Sequence, residues 1–352
     1  MKNKLLLSSA LLGCMFSGVA ANAQTSVTGS LAIGYKSFTD YSTASNSSAQ
    51  RAFGRESQLN IANKGKLNNG MDYAAGFSLE FDGGQATDAS NENVYLNIIS
   101  GSTLVHVGFD HIQNTNRTRG NLIGNDATDL ALGNAAGTSK FIQSAGAAPV
   151  ENGMGVGIVQ TTPVGSFSAY YTPNNGMVGT SDAVGHTTGT TATTNIETSR
   201  ESAYEIGFVG GLGIAGLSTH AFYNKEGKEH NTYVRDLKGE NYGISYARGP
   251  ITAGYNFKKT QAGTTVETTK QNEFAVAYAL TPTLTLGGNY TKVDSSLATS
   301  TGDAKSKSIA LGYNLGPVAI SAQYVQMENV TAVATNNSAD FDVAYIKMTT
   351  AF

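Results

Sequence analysis

This 352-residue chain contains segments in which apolar and polar residues alternate, and the connectors between these segments are alternately short and long. Sixteen segments alternate apolar with polar residues, and most have about the length of 9–11 residues with which a tilted strand crosses a bilayer. Inside hydrocarbon every backbone polar group must be paired, so strands persist there only in a closed barrel without edges. The sequence therefore predicts an all-β fold, a sixteen-stranded antiparallel transmembrane β-barrel.

The composition fits a barrel wall whose outer face is apolar and whose inner face is polar but mostly uncharged. Charged residues make up only 14% of the chain, against about 25% in soluble proteins. The segment 70–82 shows the alternation most clearly, with Phe77 on one face and Ser78 on the other. Proline cannot donate to a closed ladder, and four of the six prolines fall in predicted short turns: Pro163, Pro250, Pro282 and Pro317.

The first residues have the form of a secretory signal. Lys2 and Lys4 precede an apolar run at 5–12, and Ala21-Asn22-Ala23 is a small-residue cleavage site. We expect cleavage between Ala23 and Gln24, so that 1–23 is a signal peptide and 24–352 is the barrel. Removing the two lysines changes the net charge from −3 to −5. A lipoprotein signal ending at Cys14 is the alternative.

The longest predicted connector, about 111–151, follows the fifth strand. A sixteen-stranded barrel leaves an aqueous lumen, and this third long loop is expected to fold inward and narrow it. Charged side chains at a constriction bias which ions pass. The loop residues expected at the constriction are Arg117, Arg119, Asp126 and Asp129.

The alternation also gives candidates for the inner wall. They are Glu56, Asp72, Glu80, His106, Glu205, Lys258 and Lys347. Inward-facing His106 and His220 near serines could suggest a hydrolytic pair, but lumen polar groups are the simpler interpretation. The acidic segment 81–93 could bind Ca²⁺, although it lacks EF-hand spacing, and a solvated loop is the simpler interpretation. No metal, cofactor or nucleic-acid motif is evident.

The whole chain from 24 onward resembles the general Gram-negative porin family, the sixteen-stranded trimeric channels of the outer membrane. RESQLNIANKGKLNNGMDYAAGFSLEFD (55–82) resembles the second strand, turn and third strand of that family, and NENVYLNIISGSTLVHVGFD (91–110) resembles the strand pair before its constriction loop. The terminal Phe352 resembles the signal that the barrel assembly machinery reads. The resemblance implies a homotrimer and acidic loop residues facing basic wall residues. Relatives often carry Arg where this chain has Phe109, which leaves the ion preference open.

The resemblance implies passive diffusion of small hydrophilic solutes and ions through a water-filled channel, with no chemical step. A substrate-specific channel is one alternative. A plugged surface barrel that acts as an adhesin or structural anchor is another.

Overall fold

The computed structural model describes residues 24–39, 51–82, 90–109, 154–173, 202–227, 235–261, 267–296, 303–329 and 340–352. Within them lie sixteen strands, each at one of the predicted segments. Their bounds are β1 Gln24–Thr39, β2 Arg51–Lys66, β3 Asp72–Asp82, β4 Ser90–Ser100, β5 Thr103–Phe109, β6 Met154–Thr162, β7 Gly165–Thr172, β8 Ala203–Gly210, β9 Leu217–Glu226, β10 Leu237–Arg248, β11 Ile251–Gln261, β12 Thr268–Ala279, β13 Leu284–Ser295, β14 Ala304–Leu315, β15 Val318–Glu328 and β16 Phe341–Ala351.

The strands form one closed antiparallel barrel in which each strand pairs with its neighbours in the chain. The closing pair joins β1 to β16, from Ser30↔Ala351 to Thr39↔Asp342. The predicted fold class is therefore confirmed. Inward folding of the third long loop concerns residues outside the described ranges and stays a prediction. No helix in the described ranges is long and apolar enough to cross a membrane.

The two ends of the barrel differ in the length of their connectors. One end carries the turns 67–71, 101–102, 163–164, 211–216, 249–250, 280–283 and 316–317, together with both chain ends. The other end carries the connectors 40–50, 83–89, 110–153, 173–202, 227–236, 262–267, 296–303 and 329–340. Four of the turns contain the prolines named above, as expected for a residue that cannot join the ladder.

The turn before β9 is longer than the sequence predicted. The alternation over 213–224 predicts a strand that begins at residue 213, but β9 begins at Leu217. Gly213 and Gly216 have φ values of +75° and +81°, which end the extended conformation. The Ile214 amide donates to the Gly211 carbonyl at 2.8 Å, and the Leu217 amide donates to the Ile214 carbonyl at 3.2 Å. Two consecutive tight turns therefore occupy the first residues of the predicted strand.

Alternation along each strand separates an apolar outer face from a polar inner face. On β3, Phe77 is exposed on the outer face, whereas the next residue, Ser78, is fully buried on the inner face. The same outer face continues around the barrel through a series of exposed apolar residues: Leu96, Val107, Val156, Ile206, Ile244, Val276, Ile309 and Ile346. An apolar outer band is the surface that a bilayer requires of a barrel.

A β-bulge in β4 shifts its register with β3 by one residue. Its register with β3 runs from Gly76↔Tyr95 to Ser78↔Glu92, so β4 contains one extra residue. Asn93 takes the left-handed conformation there, with φ +52°, and its side-chain amide donates to Ser78 Oγ at 2.8 Å. A bulge of this kind re-aims the side chains that follow it.

Candidate functional site: the inner wall of the barrel

The inner wall is polar from strand to strand. Its buried polar side chains include Asn97, His106, Glu205, His220, Asn224, Asn241, Asn256, Lys258, Gln271, Thr291 and Gln323. These residues occupy the inward positions of the antiparallel registers, opposite the apolar outer positions. Burial of a polar group is costly unless the group is hydrogen-bonded, and several of these side chains are bonded in networks that join neighbouring strands.

The first network centres on Glu273 of β12. The Lys258 amine lies 3.3 Å from Glu273 Oε1, and both side chains are largely buried. Gln271 Nε2 donates to the same oxygen at 2.5 Å, and Asn256 Nδ2 donates to Oε2 at 2.8 Å. Both carboxylate oxygens are thus held by donors, which is how a buried charge is stabilised.

His220 extends this network onto β9 and β10. Its Nε2 lies 3.0 Å from Asn241 Oδ1 and 3.2 Å from Asn256 Oδ1. The amide of Asn256 is oriented by its bond to Glu273, so its oxygen must face the imidazole. Both neighbours of Nε2 are acceptors, and Nε2 is therefore the protonated nitrogen of this ring. The alternation in β12 already placed Glu273 on the polar face, yet Glu273 was not among the wall candidates, because alternation does not show that Lys258 and Asn256 of β11 meet it.

A second network lies on β4–β8. His106 Nδ1 contacts Asn97 Oδ1 at 2.7 Å, and the His106 and Tyr170 rings are 5.9 Å apart. The Tyr170 hydroxyl donates to the Gly108 carbonyl at 2.9 Å. Glu205 pairs with Tyr170 in the β7–β8 register and is 2% exposed. These residues brace the wall beside the strand from which the third long loop departs.

Interior aromatic rings lie against glycines on adjacent strands. A Cβ on Gly207 would come within 2.4 Å of the Phe222 ring, and one on Gly157 within 2.6 Å of the Tyr170 ring. Tyr95 lies over Gly76, and Tyr345 lies over Gly34, in the same way. Absence of a Cβ lets a ring approach the neighbouring backbone closely. The sequence analysis missed this pairing, although the 41 glycines were a signal for it.

The seven wall candidates fall into three groups. His106, Glu205 and Lys258 are buried in the networks just described. Asp72 stands at the tight-turn end, where its carboxylate is 2.6 Å from the Lys66 amine. The other three occupy inward positions with part of their surface open: Glu56, Glu80 and Lys347.

Accessible charges of both signs lie on the described inner wall near the barrel seam. Lys36 of β1 and Lys347 of β16 occupy inward positions on the two sides of the barrel seam. Glu56 and Glu80 occupy inward positions on β2 and β3. The constriction candidates Arg117, Arg119, Asp126 and Asp129 lie outside the described residues, as does Ala23. Gln24 is the first residue of β1.

The chain end completes the barrel seam. The Gly29 amide donates to the Phe352 carbonyl at 2.7 Å, and the Phe352 amide donates to the Gly29 carbonyl at 2.9 Å. The Phe352 ring lies over Gly29 on the outer face, since a Cβ on that glycine would be 2.5 Å from the ring. Ile346 and Met348 are exposed on the same face, whereas Val343 is buried on the other.

A closed barrel with an apolar outer band and a polar inner wall defines a β-barrel protein of the bacterial outer membrane. The model of the Gram-negative porin family matches residues 8–347, and the chain belongs to this family. A comparison with curated protein sequences finds no significant match.

Solved structures support the same fold. A mutant of Rh. blastica porin is 13% identical, with a TM-score of 0.61 over 94% of this chain and all of the porin. A loop-deletion mutant of OmpT, an outer membrane protein of Vibrio cholerae, is 11% identical, with a TM-score of 0.61 over 94% of this chain and 99% of OmpT. At these identities the likeness concerns the fold alone.

Proposed function

We propose that this porin forms a water-filled channel through which small hydrophilic solutes and ions diffuse passively across the outer membrane. The observation that supports this most directly is the polar inner wall of a closed barrel whose outer face is apolar. A sixteen-stranded barrel is wide enough to leave an aqueous lumen. The proposal involves no chemical step and no cofactor.

Charge at the narrowest point is proposed to set the ion preference. Asp126 and Asp129, with Arg117 and Arg119, are proposed to lie at the constriction, because they belong to the longest loop. Glu56, Glu80 and Lys347 are proposed to add to the field from the wall, where they are partly accessible. The buried His106, Glu205 and Lys258 are proposed to hold the wall in shape, and Asp72 is proposed to act at the tight-turn mouth.

Single-channel conductance in planar bilayers tests the proposal. The purified protein should give stable ohmic steps, and a salt gradient should give a defined reversal potential. The double variants Asp126→Asn/Asp129→Asn and Glu56→Gln/Glu80→Gln should each shift the reversal potential toward anions. Glu240→Gln/Asp294→Asn removes two acidic charges from the outer face and should leave it unchanged. Equal shifts in the loop variant and this control would remove the loop acids from the constriction.

The same recordings separate the competing functions. A substrate-specific channel would show block of conductance by one class of solute. Such channels guide solutes along accessible aromatic rings, whereas Tyr170, Phe222 and Tyr345 are at most 4% exposed. A plugged barrel that serves as an adhesin would show no conductance steps. Either result would overturn general diffusion as the function.

We propose a homotrimer as the assembled form. An OmpT structure from Vibrio cholerae is described as the trimer form, and it shares this fold with a TM-score of 0.59 at 12% identity. The outer face of β1–β5 is rich in exposed apolar side chains, which suits a subunit interface: Val27, Ile33, Phe77, Val94, Leu96, Val105 and Val107. Mass photometry of the detergent-solubilised protein should give three times the monomer mass, and a monomer mass at all concentrations would contradict the trimer.

Phe352 is proposed to act in assembly by the barrel assembly machinery, with 1–23 removed as a signal peptide before insertion. Its ring covers Gly29 at the seam that closes last. Deleting Phe352 should lower the amount of barrel assembled in cells far more than it lowers the conductance of each inserted channel. Mass spectrometry of the mature protein should find Gln24 at the amino terminus. Normal assembly of the deletion variant would contradict the role of Phe352.

A further inference from the structure

The strands differ in length around the barrel, and the four shortest are neighbours. β5 to β8 have seven, nine, eight and eight residues, whereas β10 to β15 have eleven or twelve. A strand rises about 3.4 Å per residue and tilts by about 40° from the barrel axis, so eight residues cover about 20 Å of the membrane thickness. The apolar band that a barrel presents to lipid is about 25 Å tall. On this side of the barrel the strands are therefore too short to span the band.

Aromatic rings mark the upper limit of the apolar band over these short strands. Tyr171 and Tyr204 face each other across β7 and β8 at the long-loop end of the outer face, and both are exposed. Aromatic girdles lie at the membrane interfaces of barrels. From Tyr204 to Gly210, the last residue of β8, six steps along the tilted strand cover only about 15 Å. About 10 Å of the apolar band thus extends beyond the end of the strands.

Two short turns at the foot of these strands carry apolar side chains into that interval. Val164 lies in the turn between β6 and β7, Leu212 and Ile214 lie in the turn between β8 and β9, and all three are exposed. The Leu212 amide donates to the Val164 carbonyl at 3.0 Å, which joins the two turns. Between them lies an open groove of about 400 Å³, whose lining includes Val164, Ile214 and the backbone of neighbouring glycines.

The apolar surface of the turns is continuous with the outer face of the strands. Phe167 and Phe208 are cross-strand partners on the outer face of β7 and β8, with ring centroids 4.8 Å apart. The Phe208 ring covers the strand ends next to both turns, since a Cβ on Gly165 would be 2.7 Å from it and one on Gly210 would be 3.0 Å from it. The lipid-facing surface therefore leads directly onto the turns.

Two other short turns are polar or charged. The turn between β2 and β3 contains Asn68 and is flanked by the ion pair of Lys66 and Asp72, 2.6 Å apart. Arg248 is exposed beside the turn between β10 and β11. Burying such groups in hydrocarbon is costly, whereas the two turns at the foot of the short strands contain no charged residue.

The backbone of Leu212 adds a second observation. Its φ value is +52°, a left-handed conformation that bulky residues rarely adopt and that glycine adopts without strain. The leucine side chain is thus held at the tip of the turn at a conformational cost. Removing this side chain from water would offset that cost.

We infer that these two turns insert into the acyl chains of the periplasmic leaflet, with Val164, Leu212 and Ile214 as the anchoring side chains. Short turns of such barrels face the periplasm, so the partner is the phospholipid of that leaflet. Insertion supplies the apolar surface that the short strands lack and sets the depth of this side of the barrel in the bilayer. The inference concerns the outer surface and goes beyond the proposed channel function.

Tryptophan fluorescence of the barrel folded in phospholipid vesicles tests the inference, because the chain contains no Trp. Ile214→Trp is the test variant, and Asn68→Trp, in the polar turn between β2 and β3, is the control. Phe167→Trp provides a reference ring on a lipid-facing strand. The vesicles contain phosphatidylcholine brominated either close to the headgroup or deep in the acyl chains, and bromine quenches only the rings that it contacts. Heat-dependent gel migration shows whether each variant has folded.

Ile214→Trp should emit at a shorter wavelength than Asn68→Trp and lose at least twofold more of its fluorescence in brominated lipid. Bromine close to the headgroup should quench Ile214→Trp most, whereas deep bromine should quench Phe167→Trp most. Should Ile214→Trp not fold, Val164→Trp should give the same result. Quenching no stronger than that of Asn68→Trp would overturn the inference and place the turns in water. Short-wavelength emission without quenching would also overturn it, because the ring would then lie against protein.

Discussion

Lys258 and Lys259 are adjacent in the sequence but belong to different environments. Lys258 is 3% exposed on the inner wall, 3.3 Å from Glu273. Lys259 is 34% exposed on the outer face, 2.9 Å from Glu240. The outer pair is the shorter one, yet solvent and salt screen it, whereas the inner charges have exchanged water for fixed partners. We therefore expect burial, more than distance, to decide what each of these ion pairs contributes to stability.

The largest expected difference in stability between the two faces comes from substituting these two lysines. Lys258→Met leaves Glu273 buried without its cation and should lower the free energy of unfolding by about 3–5 kcal/mol. Lys259→Met should cost only about 0–1 kcal/mol, because its pair is exposed. Denaturant titrations in detergent micelles measure both. Adding Glu273→Leu to Lys258→Met should recover part of the loss, and equal costs for the two single variants would refute the contrast between the faces.

A charge placed in the middle of the outer face should have the next largest effect. Phe77→Arg and Val276→Arg place a guanidinium against hydrocarbon and should each cost about 2–4 kcal/mol. Gln58→Arg is the matched control, because Gln58 faces inward opposite Glu80. Ser78 is unsuitable as a control, since it is fully buried and bonded to Asn93. Folding titrations into lipid vesicles that gave the same cost for Phe77→Arg and Gln58→Arg would show that the two faces have been assigned wrongly.

The seam offers a smaller test of the outer face. Gly29→Val should push the Phe352 ring off the outer surface and cost about 1–3 kcal/mol through overpacking. Gly54→Val is the control on the neighbouring strand, because nothing lies within 4 Å of a Cβ there. Thermal unfolding monitored by the heat-dependent shift in gel migration measures the difference. A Gly54→Val variant as destabilised as Gly29→Val would show that Phe352 has no special part in closing the seam.

The smallest expected effect is a dependence of stability on pH that comes from Asp303, at the long-loop end of the barrel. The Lys292 amine, 2.8 Å from Asp303, lowers the pKa of the Asp303 carboxyl below its usual value. A carboxyl whose pKa falls on folding stabilises the folded state above its unfolded pKa, about 3.9. This contribution is lost as pH falls through the folded value. Melting temperatures of wild type and Asp303→Asn should therefore differ slightly at pH 7 and converge below about pH 4. A difference that widened with acidity would contradict this assignment.

Much of the fold could be predicted because hydrocarbon imposes a simple rule on sequence. Period-two alternation in segments of membrane-crossing length predicted each of the sixteen strands and the closed barrel. Prolines lie in four of the seven short turns, as predicted. The start of β9 was predicted four residues too early, because Gly213 and Gly216 form turns within a stretch that reads as extended. The bulge at Asn93 was also missed, since one left-handed residue leaves no mark on the pattern.

The site was only partly predictable. Alternation placed Lys258 and Glu205 on the polar face, but it could not pair them with partners on other strands. Glu273 meets Lys258 because β11 and β12 align with Lys258 opposite Gln271. That alignment depends on how β11 and β12 pair within the closed barrel, which the pattern of one strand does not show.

By itself the sequence determined which residues could face lipid and which could face water, because the side-chain period of a strand is fixed by backbone geometry. It also determined the number of strands and the two unequal ends. Tertiary structure alone decided which residues meet across strands: the Lys258–Glu273 pair and the rings lying over glycines. These depend on register, and a shift of one residue between two strands would change every partner while leaving the sequence pattern of each strand intact.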